Sequence, residues 1–309
     1  MSRYLPYLAG VGVALTWGLS FMFTRGALDL ISPFHLLGLR FAAAVAAMAL
    51  LRAFRIIRIR VSTQDYLSLL PLALFQPIFY FAAETAGILL TSASYAGMMI
   101  AVIPIFVAIL SAIMLRERPN RLQVFFVIAS VTGVIFIIYM DTQSIAGVNP
   151  LGTLALLGAV TAAGFFNIAS RKASTAHSPL KITWVMMVVG AVCFNIIALL
   201  QHVLEGNIGT YLAPLPGLWI TIFYLGVMSS VGAFFLYNYV LSRITATQGS
   251  VFANLVTVVA IAAGVIFRGE TVFWYHLAGT AAVLAGVWGT NRYAPQSYRS
   301  DKEDKSTDR

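Results

Sequence analysis

The sequence predicts an all-α polytopic membrane protein with ten transmembrane helices in two inverted five-helix repeats. Three observations predict it: apolar runs of membrane-spanning length, a one-sided placement of basic residues, and a weak internal repeat. Of the 309 residues, 60% are hydrophobic and only 10% are charged. Soluble domains carry about 25% charged residues. The apolar residues fall in runs near 5–25, 33–51, 66–90, 94–115, 122–140, 151–170, 180–203, 216–240, 246–267 and 272–291. Each is close to the ~20 residues that cross a ~30 Å hydrocarbon core as a helix. Barrel strands would alternate polar and apolar over ~10 residues, and runs such as 100–113 do not alternate. Helices are then the remaining solution, because backbone groups in lipid need internal hydrogen-bond partners.

The first run follows Met1-Ser2-Arg3-Tyr4 and is longer than the apolar stretch of a signal peptide. It reads as an uncleaved first helix. A single cysteine, Cys193, excludes an internal disulfide and a cysteine-built metal site. The net charge of +9 could suggest nucleic acid, but its placement points to topology instead. Lys and Arg concentrate in cytoplasmic loops. With the N-terminus inside, the cytoplasmic segments hold Arg3; Arg52, Arg55, Arg58 and Arg60; Arg116, Arg118 and Arg121; Arg171, Lys172 and Lys181; Arg243; and Arg292 with the tail. That is seventeen of the twenty basic residues, against Arg25 and Arg268 outside and Arg40 within a helix. Both termini are therefore expected in the cytoplasm of a cell-membrane protein. No nucleic-acid partner is expected; the partners are a small-molecule substrate and the lipid bilayer. The sequence leaves the oligomeric state open, and a monomer is compatible with it.

The repeat appears at two offsets. A shift of 146 brings Gly18 onto Gly164, Arg25 onto Arg171 and Ser32-Pro33 onto Ser178-Pro179. A shift of 153 brings Ala93 onto Ala246, Glu117 onto Glu270 and Gly133 onto Gly286. Five helices per half means that the second half enters from the opposite side. The expected division is 1–142, 143–295 and a disordered cytoplasmic tail, 296–309, whose four basic and four acidic residues cancel. Inverted repeats occur in many secondary transporters, with the substrate near the midplane between the halves.

The ordered set Leu15-Thr16-Trp17-Gly18-Leu19-Ser20-Phe21, Pro33 through Arg40-Phe41, Ala86 to Ser94, Pro104, Glu117 and Gly133 resembles the drug/metabolite transporter superfamily. The likeness is to its ten-helix branch with two EamA-type domains. Gly249, Glu270, Gly279 and Gly286 continue it in the second half. The resemblance spans 5–291 and implies export or exchange of amino acids, related metabolites or drugs, without ATP or another cofactor. Within the same resemblance, import of a vitamin or nucleoside-like cofactor is the alternative. One departure is Thr257, where the second half of the family commonly has proline; helix 9 is expected to be straighter than helix 4.

Polar groups in hydrocarbon are costly and mark the bundle interior or a water-filled path. Gln76, Tyr80 and Glu84 are spaced by four and share one face of helix 3. The 153 shift places them on Ser229, Ala233 and Tyr237 of helix 8, so helices 3 and 8 are expected to face each other across the pathway. Trp17 and Phe21 in helix 1, Asn167 in helix 6 and Asn254 in helix 9 complete the expected pathway. Arg40 and Glu84 lie at matching depths, ~10 and ~9 Å from the outer ends of their helices at 1.5 Å per residue. They are expected either as a structural ion pair that pins helix 2 to helix 3, or as a gate or a site for a zwitterionic substrate, with a proton as the candidate coupling ion. The histidines, His35, His177, His202 and His276, are scattered at helix ends and loops. No H-E-x-x-H, G-x-S-x-G or phosphate-loop motif occurs, which speaks against an enzyme or an ATP-driven pump.

Overall fold

The computed structural model describes residues 4–28, 30–91, 99–141, 149–211, 218–268 and 273–294. The tail, with Ala93, Ser94 and Glu270, lies outside the described residues, as does the side chain of Phe21. Among the described residues every regular element is helical. We label them α1 (Leu5–Leu28), α2 (Pro33–Ala53), α3 (Thr63–Ala73, continued by Tyr80–Leu90), α4 (Ile103–Leu110), α5 (Arg121–Asp141) and α6 (Pro150–Ala173). The remaining four are α7 (Pro179–Leu204), α8 (Leu218–Phe223, continued by Ala233–Arg243), α9 (Ala246–Ser250, then Phe252–Arg268) and α10 (Trp274–Arg292). Six described spans are long and apolar enough to cross a membrane alone; Leu5–Ser20, Ile103–Leu115 and Ala246–Val259 are shorter apolar stretches.

The helix starts are written in the chain. Ser32 and Ser178 cap α2 and α7, accepting from the backbone N–H of His35 and Lys181, with Pro33 and Pro179 opening each helix. Proline suits this position because its missing N–H would have no intrahelical partner. Ser62 and Asp65 form a capping box that starts α3 at Thr63, three residues before the apolar run. Thr245 and Gln248 do the same for α9. α9 runs through Thr257 without interruption, whereas Pro104 stands in the first turn of α4.

Two helices change winding at equivalent places. α3 is kinked at Leu74–Phe79, where Gln76, just before Pro77, has extended backbone angles (φ −148°, ψ 119°) and two helical segments meet. α8 passes through a π-helical turn at Tyr224–Gly232, which contains the 153-shifted image of the first. π turns inside α-helices are rare and often sit at functional sites.

The helix pairings show the inverted repeat. Exchanging each helix for the one five later converts the α1–α9 pairing into α6–α4, α1–α8 into α6–α3 and α2–α8 into α7–α3. It leaves α2–α7 and α5–α10 as pairings of equivalent helices. All of these contacts are present, as a two-fold axis relating the halves requires. Large apolar side chains are exposed around the outside of the bundle: Leu8, Leu15, Ile113, Phe125, Leu154, Ile196, Ile220 and Leu277. A soluble monomer rarely exposes so much contiguous apolar surface; here it is the face that lipid covers. Phe41, Phe166, Phe194 and Phe234 are fully buried in the centre.

At the α5–α10 crossing, Gly133 and Gly286 each face the partner helix's backbone. A Cβ on Gly286 would lie 2.7 Å from the carbonyl oxygen of Phe126 and 2.7 Å from the backbone nitrogen of Ser130. Neither atom can move without moving α5. Gly286→Leu is therefore expected to force α10 off α5. Overpacking costs typically 1–3 kcal/mol, and the melting temperature in detergent should fall with it. An unchanged melting temperature would mean that the helices do not cross this closely.

Candidate functional site: a cavity between the halves

A cavity of about 140 Å³ lies between the helices of the two halves. Its walls include Trp17, Arg40, Gln76, Tyr80, Glu84, Asn167 and Tyr237, together with the aromatic faces of Phe81 and Phe234. It extends past Thr24 and Leu28 of α1 and Pro33 and Leu36 of α2. It thus reaches from the middle of the bundle toward the end where α1 stops and α2 begins.

Most of the polar side chains expected from the sequence meet here. Tyr80 donates to Glu84 Oε1 at 2.8 Å, the contact that four-residue spacing on one helix face allows. Across the cavity, Tyr237 donates to Asn167 Oδ1 at 2.6 Å, and Asn167 Nδ2 donates to the carbonyl of Ala163. Trp17 packs against Phe234 and Tyr237, with both ring centroids 5.2 Å away, and its Nε1 donates to the carbonyl of Ser229 at 3.2 Å. Gln76 is buried at the kink of α3 and lines the same space. Helices 3 and 8 do face each other: Phe81 and Phe234 approach to 6.3 Å between centroids.

Arg40 departs from its expected partner. The ion pairs among the described residues are Arg171–Glu117, Lys181–Asp65 and His177–Asp65; Arg40 and Glu84 do not pair directly. The guanidinium instead donates through Nε to Ser230 Oγ at 2.7 Å and through Nη2 to Ser229 Oγ at 3.1 Å. Its Cζ sits 4.7 Å from the ring centroid of Phe81, a cation–π distance. Ser229 and Ser230 belong to the π turn of α8, which brings two successive hydroxyls to α2. Ser229 therefore serves as an acceptor for Arg40 and is not a wall of the cavity.

Asn254 is placed elsewhere as well. It is fully buried, and its Nδ2 donates to Ser130 Oγ of α5 at 3.1 Å. It ties α9 to α5, whereas Ala253 and Val256 of the same helix face the cavity. The histidines are less scattered than expected. His35 and His202 meet with Nδ1 and Nε2 3.1 Å apart, beside Tyr211, and so link α2 to α7. Among the described residues no three His, Cys, Asp or Glu side chains gather as a metal site.

At the other end of the bundle, polar contacts join the helices. Arg171 Nε donates to Glu117 Oε1 at 2.9 Å and Nη1 to the carbonyl of Leu241 at 2.8 Å. The other oxygen, Glu117 Oε2, accepts from the backbone N–H of Ala246 at 3.0 Å. One carboxylate thus joins the ends of α4 and α6 to the start of α9. Lys181 and Asp65 join α7 to α3 at the same end, 2.9 Å apart.

The comparisons with known proteins agree with this architecture. The Bacillus subtilis (strain 168) transporter YcxC is 37% identical over 92% of this chain and 92% of its own. A probable amino-acid metabolite efflux pump of Salmonella typhimurium is 26% identical over 93% of this chain and 95% of its own. A chain of known crystal structure superposes with a TM-score of 0.75 at 17% identity, covering 93% of this chain and 98% of the other, and so shares the fold. The model of the EamA-like transporter family matches residues 5–139 and again 150–292, and the chain belongs to that family.

Proposed function

We propose that this chain is a secondary transporter that exports or exchanges small zwitterionic metabolites, amino acids or their derivatives, by alternating access. The observation that carries the reading is one cavity, between the two halves, that presents a guanidinium and a carboxyl group among aromatic walls. A carboxylate is suited to Arg40, an ammonium group to Glu84, and an apolar side chain to Trp17, Phe81 and Phe234. Sparse polar anchors in a mostly apolar pocket are the usual composition of a small-molecule site. The name of the Salmonella relative, an amino-acid metabolite efflux pump, is consistent with this class.

The halves would be 1–142 and 143–295. In the orientation that the basic residues suggest, the cavity extends toward the outer side, and the Glu117–Arg171 and Asp65–Lys181 pairs would close the cytoplasmic side. Rocking of one half against the other would exchange these roles. A proton on Glu84 is the coupling ion we favour, and a single chain contains the whole cavity.

The reading is tested by counterflow in proteoliposomes loaded with unlabelled L-leucine, with radiolabelled L-leucine outside and a panel of competitors. Competition by amino acids, and not by nucleosides or vitamins, is the expected result. Competition by nucleosides alone would replace this reading with that of a cofactor importer. The topology has its own test. A reporter active only in the cytoplasm, fused after Arg292, should be active; a periplasmic signal at that position would reverse the orientation.

A further inference from the structure

The cavity contains a guanidinium and a carboxylate that do not touch. That separation calls for a physical cause. The attraction between opposite charges rises as the dielectric falls, and both side chains are long enough to move. Left alone, they would close on each other and leave a neutral cavity wall. The restraint is visible on Arg40. Ser230 accepts from Nε and Ser229 from Nη2. Ser230 is itself aimed: its hydroxyl donates to the carbonyl of Leu225 at 2.8 Å, so its lone pairs are turned to the guanidinium. Phe81 covers one face of the guanidinium. Glu84 is held separately by Tyr80. The two serine hydrogen bonds of Arg40 engage Nε and Nη2, and the residue lines the cavity.

From this arrangement we infer that Ser229 and Ser230 are positioning residues that hold Arg40 off Glu84, so that the cavity offers separate seats for the carboxylate and the ammonium group of one zwitterion. The ligand half of this inference rests on the amino-acid reading above; the side-chain half does not. Because both hydroxyls sit on the π turn of α8, any movement of that turn during the transport cycle would release Arg40 to Glu84 and discharge the carboxylate seat.

The test pairs a structural readout with a binding readout on the purified full-length protein. In an experimental structure of Ser229→Ala/Ser230→Ala, the Arg40 guanidinium should lie within 4 Å of Glu84, as defines an ion pair. L-leucine affinity, measured by scintillation proximity, should fall at least about tenfold, in keeping with the loss of hydrogen bonds to a charged group. Adding Glu84→Gln to the double variant should free Arg40 again and restore binding of 4-methylpentanoate, which carries the carboxylate without the amine. Ser230→Thr, which keeps the hydroxyl, should retain leucine affinity. If the double variant does not accumulate, Ser230→Ala alone is read in the same two ways. A guanidinium that stays away from Glu84 in the variant overturns the inference, and so does leucine affinity unchanged from wild type. A wild-type protein that binds no leucine would overturn the amino-acid reading, while the position of Arg40 in the variant still decides the role of the serines.

Discussion

Arg40→Met is expected to reduce leucine counterflow at least about thirtyfold at unchanged expression. Arg40 is 5% exposed, and its two serine hydrogen bonds and its contact with Phe81 are all made by the charged head. Hydrogen bonds to charged groups contribute about 1.5–3 kcal/mol each, and one such bond to a substrate carboxylate corresponds to roughly 10- to 150-fold in affinity. Lysine should not rescue fully. It supplies a point charge without the planar fork that meets two serines and a carboxylate together. The double variant Arg40→Met/Glu84→Gln separates the two roles expected from the sequence. If Arg40 and Glu84 served only to neutralise each other, removing both would restore transport, because neither charge is left unpaired. Since the two do not pair directly, the double variant should fold and still fail to transport. Full activity in the double variant would reduce both residues to scaffolding.

Much of this site was legible in the sequence because it follows from spacing. The four-residue interval puts Tyr80 and Glu84 on one helix face, and of the positions the 153 offset marks on α8, Tyr237 lines the same cavity; Gln76 joins them although its extended backbone interrupts the helix there. Trp17 and Asn167 came from polarity or aromaticity at mid-membrane depth, and both line the cavity. What spacing does not fix is the partner of a side chain. Asn254 had the right depth but turns toward Ser130 of α5, because hydropathy does not distinguish two neighbouring helices that are both apolar. Arg40 had the right depth to pair with Glu84, yet its head reaches hydroxyls brought in by the π turn of α8. No periodicity argument marks that turn, because α8 carries no proline where α3 has Pro77. The available clue was the Ser229-Ser230 pair itself, two successive acceptors in an apolar helix, one of which the repeat already aligned with Gln76. The meeting of His35 and His202 was hidden for a similar reason: one lies at the start of α2 and the other at the end of α7, and only the antiparallel packing of those helices joins them.

Gln76→Ala and Glu84→Gln are expected to impair transport in two distinguishable ways. Gln76 is the extended residue at the kink of α3, nine-tenths buried, against the cavity. If its amide only bonded a neighbouring helix, its loss would cost about 0.6 kcal/mol, the average for such bonds in a membrane bundle, and transport would follow the amount of folded protein. As a cavity wall, its loss should leave the melting temperature within a few degrees of wild type and raise the half-saturation concentration for leucine about tenfold. Glu84 is the group we assign to the coupling proton, and its replacement tests the energetics rather than the fit. Glutamine retains the size of Glu84 and can still accept from Tyr80 but cannot release a proton. Uphill transport driven by a pH gradient should therefore vanish in Glu84→Gln, and its dependence on pH with it, while exchange of leucine for leucine continues at a measurable rate. A variant that still concentrates substrate against its gradient, with the wild-type response to pH, would remove the proton from Glu84. Wild-type half-saturation in Gln76→Ala would in turn show that this face of α3 is packing, and that substrate binds elsewhere in the bundle.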